Sequence, residues 1–161
     1  MRQLTGAVCI IATANGTDKA GLTATAVCSV SAQPPRLLVG VNRSGRSSGL
    51  IRSVGRFSVN VLADADQTLA ARFARPSESS DSRFEQGHWR LGVLGVPVLG
   101  TALATFECRI EQIVDSGTHG ILFGDVVAVH GGHSLAGPLL YANGQFCRLR
   151  DGRESILDSG W

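Results

Sequence analysis

Residues 104–130 read ATFECRIEQIVDSGTHGILFGDVVAVH. Within Thr101 to Asp115, Phe106, Cys108 and Ile110 alternate with Glu107, Arg109 and Glu111. A period of two places these sets on opposite faces of a strand, one packed and one wet. Ser116-Gly117-Thr118-His119-Gly120 reads as a turn, and Ile121 to His130 as the returning strand. Two long strands joined by so short a link must pair antiparallel.

The rest of the chain repeats this pattern at shorter range. Val8 to Thr13 is an apolar, β-branched run that ends in the turn cluster Asn15-Gly16-Thr17-Asp18. Gly21 to Val30 reads as one returning strand, stopped by Gln33-Pro34-Pro35, and Arg36 to Val41 as the next. Ser48–Val54 and residues 65–75 are predicted as short helices, the first stopped by Gly55 and the second by Pro76. Asp64 with Gln67 resembles a capping box at the start of the second. Phe57 to Leu62 and Gln145 to Leu149 are further strands, Ser77 to Gly87 a mobile polar loop, and His88 to Leu99 a glycine-rich irregular stretch. Strands dominate and no βαβ alternation is visible, so the pattern predicts a mainly β, antiparallel barrel with two or more short helices.

Composition narrows the function. The chain has 161 residues, which predicts one domain over 1–161. Charged residues are 17% and the net charge is +2, which does not suggest nucleic acid or a membrane surface as a partner. Little charged surface with 43% hydrophobic residues hints at an oligomer. No apolar run approaches the ~18 residues of a membrane span. The N-terminus lacks a signal-peptide pattern, which predicts a cytoplasmic protein. Cys9, Cys28, Cys108 and Cys147 form no C-x-x-C pair and read as buried, reduced thiols. Lys19 is the single lysine, and no histidine pairing suggests a metal site; His130 and His133 read as solvent-facing.

Three places carry possible chemistry. Asn42, Arg43, Ser44, Arg46, Ser47 and Ser48 surround Gly45 where a strand gives way to a helix. A helix N-terminus with arginines and hydroxyls suits a phosphate. The same loop contains Gly45-Arg46-Ser47-Ser48-Gly49, formally G-x-S-x-G, with Asp125 and His130 following in hydrolase order. That elbow belongs to a parallel sheet, which this pattern lacks. In Gly21-Leu22-Thr23-Ala24-Thr25-Ala26, small side chains would let a flat ligand approach the backbone. His119, in its glycine-flanked turn, is a candidate ligand-facing imidazole.

Taken in order, these pieces resemble the flavin reductase family, the NAD(P)H:flavin oxidoreductases that serve two-component monooxygenases. The resemblance runs from Leu4 to Leu149 through Gly21–Ala26, Ser29-Val30-Ser31, Pro34-Pro35, Phe57–Leu62, Phe73-Ala74, Gly117-Thr118-His119, Gly124-Asp125-Val126 and Pro138–Tyr141. It implies an FMN-binding split β-barrel, Greek-key-like, working as a homodimer with an oxygenase partner. It implies FMN or FAD beside Thr23, Ala24, Thr25 and Ser29, with the phosphate at Asn42, Arg43, Ser44 and Ser47. Phe73, Ala74 and Arg75 would close the site. His119 would be catalytic, meeting the nicotinamide of NADH or NADPH, with Tyr141 near the same nucleotide. Thr118 stands where the family often has an acid. A non-catalytic flavin-binding barrel and an oxidase of a pyridoxal-type phosphate are the alternatives that the same barrel allows.

Overall fold

The computed structural model describes residues 3–75, 81–131 and 136–149. A seven-stranded antiparallel sheet contains β2 (Cys9–Asn15), β3 (Asp18–Ala24), β4 (Val27–Ala32), β5 (Pro35–Asn42), β6 (Arg56–Val61), β9 (Ala104–Ser116) and β10 (His119–Gly131). Its order is β3-β2-β6-β9-β10-β5-β4. The two edge strands, β3 and β4, are consecutive in the chain and joined only by Thr25 and Ala26. Each residue of a chain spans at most ~3.5 Å, so that link forces the two edges of the sheet together. The sheet therefore rolls into a barrel, split between β3 and β4.

The single strand predicted over Gly21–Val30 is thus two strands. β3 pairs with β2 and β4 with β5, and Gly40 donates its N–H to Ala26 O at 2.8 Å beside the break. Both halves are rich in threonine, valine and small residues, so no change of pattern marks the break.

β2 explains its own unbroken apolar sequence. Ile11 points into the barrel with Val39, Val41, Phe57, Val59, Cys108 and Leu122. Ile10 points outward into a second core with Leu62, Leu69, Phe73, Phe84 and Leu139. A strand buried on both faces reads as a run and not as an alternation. Helix α1 (Arg46–Val54) sends Ile51 into the inner core, and α2 (Gln67–Ala74) covers the outer one. α2 is preceded by a 3-10 turn, Asp64–Asp66. The back-bond at its start comes from Asp66, which accepts the Ala63 N–H at 3.3 Å, and not from an Asp64–Gln67 box.

Several other expectations are corrected. Asp81–Phe84, within the predicted mobile loop, form a short helix, α3. Its Phe84 is buried, with its ring 5.1 Å from those of both Phe73 and Trp89. The irregular stretch is a small hairpin of β7 (Trp89–Leu91) and β8 (Pro97–Leu99). β11 (Leu139–Ala142) links β1 (Gly6–Ala7) to β12 (Gln145–Arg148) in a third sheet. The four cysteines are not all buried. Cys9 and Cys108 are, and burial pushes both thiols up to about 12, while Cys28 is exposed and Cys147 half-buried. His133 lies outside the described residues.

Glu107, expected on the wet face, is fully buried. The loop between β7 and β8 closes over it. Its carboxylate accepts the N–H groups of Val93 at 2.9 Å and Leu94 at 2.7 Å. His130 Nε2 lies 2.5 Å from it, so His130 is not a free solvent-facing residue. Gly92 permits this closure, because a Cβ there would stand 2.2 Å from Glu107 Oε1. Burial alone would raise the Glu107 carboxyl, but Leu94 N–H, the His130 ring and Val93 N–H outweigh it and hold it below the ordinary range.

A depressed carboxyl stabilises the fold above its unfolded-state pKa and loses that contribution as pH falls through the folded value. Glu107→Gln is therefore expected to cost about 2–4 kcal/mol at pH 7 and much less below pH ~4. Urea unfolding at several pH values reads this. An equal loss at neutral and acid pH would contradict it.

Candidate functional site

The split between β3 and β4 leaves β3 as an edge strand, with every second residue directing its backbone polar groups away from β2. Gly21 is one of these, since its carbonyl accepts from outside the sheet: from Ser47 Oγ at 3.0 Å and Arg83 at 2.8 Å. Strand alternation gives Thr23 the same outward aspect. The Thr23 hydroxyl is turned to α2, donating to Ala70 O at 2.7 Å. What this edge offers a ligand is therefore backbone.

Along this edge runs a trough of three adjoining hollows. The first, about 410 Å³, is lined by Asn42, Ser44, Arg46, Ser47, Phe73, Ala74 and Arg75 among others. The second, about 400 Å³, shares Thr23, Ala74 and Arg75 with it and adds Ala24, Thr25 and Tyr141. The third, about 670 Å³, continues from Thr25 and Tyr141 to Asn143 and Gly144. Each falls in the size range of small-molecule sites.

The first hollow is suited to an anion. It sits at the start of α1, whose N-cap residue Gly45 makes no side-chain capping bond and whose first turn carries no acid. Ser48 N–H is taken by Gly45 O at 3.0 Å, and the partial positive charge of that turn faces the hollow uncompensated by a first-turn acid. Asn42 Oδ1 shapes the loop, accepting Ser44 N–H at 3.0 Å and Ser44 Oγ at 2.8 Å. Arg46 is held at 2.8 Å by Asp18, an exposed pair. The floor is tight, since a Cβ on Gly21 would stand 2.7 Å from Phe73 Cε1.

Of the residues the sequence nominated, the trough gathers Thr23, Ala24, Thr25, Asn42, Ser44, Arg46, Ser47, Phe73, Ala74, Arg75 and Tyr141. It does not gather Arg43, Ser29 or His119. Arg43 turns to the β9–β10 tip, with its Nε 3.8 Å from Asp115 and NH1 donating to Gly117 O at 3.3 Å. Ser29 is exposed on β4. His119 pairs with Asn42 across the β5–β10 ladder, and its Nδ1 lies 2.9 Å from Thr118 Oγ1, at the outer rim of the loop. Sequence reasoning missed Arg83, which lines the first hollow from within the predicted polar loop. The hydrolase reading fails on geometry: Ser47 Oγ donates to Gly21 O, Asp125 pairs with Arg36 at 2.7 Å, and His130 is engaged by Glu107.

The model of the flavin reductase like domain matches residues 1–150. A relative named FMN reductase (NADH) RutF from Stutzerimonas stutzeri is 42% identical over 130 residues, covering 81% of this chain and 74% of that protein. The Escherichia coli protein of that name is 41% identical over 124 residues, covering 77% and 75%. Among solved structures, BorF, the flavin reductase component of a bacterial two-component tryptophan halogenase, aligns with a TM-score of 0.85 at 31% identity, covering 93% of this chain and 94% of that one. SgcE6 of Streptomyces globisporus, an NADH:FAD oxidoreductase in complex with NAD and FAD fragments, aligns with a TM-score of 0.87 at 25% identity, covering 94% and 90%.

Gly21→Ala should test the floor of the trough. Crowding a packed ring costs about 1–3 kcal/mol. Urea unfolding followed by tryptophan emission should show that loss together with a shifted native spectrum, because the Phe73 ring lies 5.6 Å from Trp89. Unchanged stability and emission would mean that the ring yields freely.

Proposed function

The chain belongs to the flavin reductase family, and from that premise we propose that it is an NADH:flavin oxidoreductase acting on FMN. The observation that carries this reading is the trough, with its anion-suited end at α1, its open strand edge in the middle and Tyr141 beyond. The residues fit the group. The α1 amides, Ser47 and Arg46 would hold the phosphate, and the backbone at Thr23–Thr25 would read one edge of the ring.

When bound, the flavin takes a hydride directly from the nicotinamide, so the hard chemistry belongs to the two cofactors. The protein's contribution is alignment. Phe73 and Ala74 wall the trough on the α2 side, and Tyr141 offers a face for the nucleotide. Direct hydride transfer needs no general base from the protein.

His119 is our candidate for positioning the nicotinamide. In one chain it stands at the rim of the 42–46 loop, from which a bound nucleotide or a second copy of the chain would bring it into play. We propose a homodimer as the assembly that would do so. Val30, Val127 and Val129 are exposed, and β10 beyond Asp125 pairs with β9 but not with β5. Such an edge with apolar neighbours favours burial against another copy. We further propose that reduced flavin passes to a separate oxygenase component, in the cytoplasm where NADH is at hand. No helix among the described residues is long and apolar enough to cross a membrane.

Under anaerobic conditions NADH should bleach added FMN far faster than buffer does. Flavin binding without that reduction would select the non-catalytic barrel instead. Arg46→Ala or Ser47→Ala should weaken FMN binding by about 1–3 kcal/mol, the range for a hydrogen bond to a charged group. In stopped flow, His119→Ala should slow hydride transfer or raise the NADH KM by about 10–100-fold at unchanged FMN affinity. Parent kinetics in that variant would reduce His119 to a turn residue. Sedimentation should give twice the chain mass, and a monomer that binds FMN tightly would defeat the dimer.

A further inference from the structure

The turn that carries His119 has little core packing to hold it. Residues 115–119 are all exposed, and only Gly120 behind them is buried. Polar bonds must therefore fix where the imidazole stands. The β5–β10 ladder supplies one anchor, pairing His119 with Asn42. Arg43, the next residue in the chain, supplies more. Its backbone N–H donates to Thr118 O at 2.9 Å, its NH1 donates to Gly117 O at 3.3 Å, and its Nε lies 3.8 Å from Asp115 Oδ1.

Asp115 carries the link on to α1. Arg52, in the last turn of that helix, donates to the same Oδ1. A Cβ on Gly120 would collide with Arg52 NH2, so the glycine gives that guanidinium its path. The Arg52 hydrogen bond, with the Arg43 charge adding to it, holds the Asp115 carboxyl below its ordinary range. Arg43 thus reaches Asp115 with one nitrogen and Gly117 with another, which suits a planar fork. The same loop sends Ser44, Arg46 and Ser47 to the first hollow, but not Arg43. Through Arg43, the loop that borders the trough and the turn that carries His119 are joined by side chain as well as by backbone.

We propose that Arg43 is a positioning residue for hydride transfer, holding the His119 turn in register with the trough, and not a ligand of the flavin. This rests on the reading of His119 given above and deepens it. Exposed ion pairs contribute little to stability, so loss of the Arg43 side chain should leave the fold intact. Displacing an aligned group by about 1 Å can nevertheless cost on the order of 100-fold in rate. The backbone bond to Thr118 survives any substitution at Arg43, so its loss should cost less than the loss of His119.

The test pairs FMN titration with stopped-flow reduction by NADH, on the full chain and its variants. Arg43→Gln should slow hydride transfer or raise the NADH KM by about 3–10-fold, with FMN affinity within about twofold of the parent. Arg43→Lys keeps the charge beside Asp115 but loses the fork, and should recover part of that loss. Asp115→Asn weakens the link from its other end and should give the same kinetic signature, which serves if the glutamine variant does not fold. In a His119→Ala background, Arg43→Gln should add less than about twofold, because the group it positions is gone. Parent kinetics in Arg43→Gln and Asp115→Asn would overturn the proposal. So would a loss that multiplies in full on His119→Ala, or FMN weakened about tenfold at unchanged hydride transfer. Parent kinetics in His119→Ala would reject the reading of His119 itself, and the proposal with it, a result distinct from the others.

Discussion

The residues between Ala24 and Val27 are the constraint on which the rest depends. Two residues, Thr25 and Ala26, separate the outermost strands of a seven-stranded sheet. A flat sheet would place those strands far apart at a spacing of ~4.8 Å per strand. The link forbids that, so the sheet rolls and its inner face closes over Ile11, Phe57, Val59 and Leu122. It cannot close fully, because β3 and β4 each keep one unpaired side. Core and trough are thus two results of one short connection.

The outer core then fixes the walls of the trough. α2 packs Leu69, Ala70 and Phe73 against Ile10 and Leu62, and this brings Ala74 and Arg75 beside the free edge of β3. Thr23 ties the strand to that helix through Ala70 O. Ser47 ties it to α1 through Gly21 O. The site is therefore held by regular elements on two sides, which suits a task that consists mainly of aligning flat rings.

What could be read from sequence follows from how local its cause is. The β9–β10 hairpin was legible because Phe106, Cys108 and Ile110 pack on a single face and the turn between the strands is short. The junction of β5 with α1 was legible because glycine and serine between an apolar run and a helical pattern mark a helix start. Glu107 was misread since its face is covered by a loop remote in sequence, through the amides of Val93 and Leu94. The break at Thr25 was invisible because register, not composition, decides it. Phe84 and Arg83 were hidden in a polar, serine-rich stretch where one buried ring turns a loop into part of the core. Arg43 and Arg46 looked equivalent in the loop, and only the position of Asp115 and Asp18 separates them.

The buried thiols acquire a meaning of their own in a protein that handles reduced flavin. Flavin reduced in air passes electrons to dioxygen, and peroxide attacks sulfur chiefly as thiolate. Cys9 and Cys108 lie in the barrel interior with pKa values pushed up to about 12. At neutral pH almost none of either is ionised. The barrel core thus keeps its sulfur in a chemically inert form a short distance from the place where oxidants arise. Oxidative wear would fall first on Cys28, exposed on the edge strand β4, where a polar sulfur derivative disturbs no packing inside the barrel.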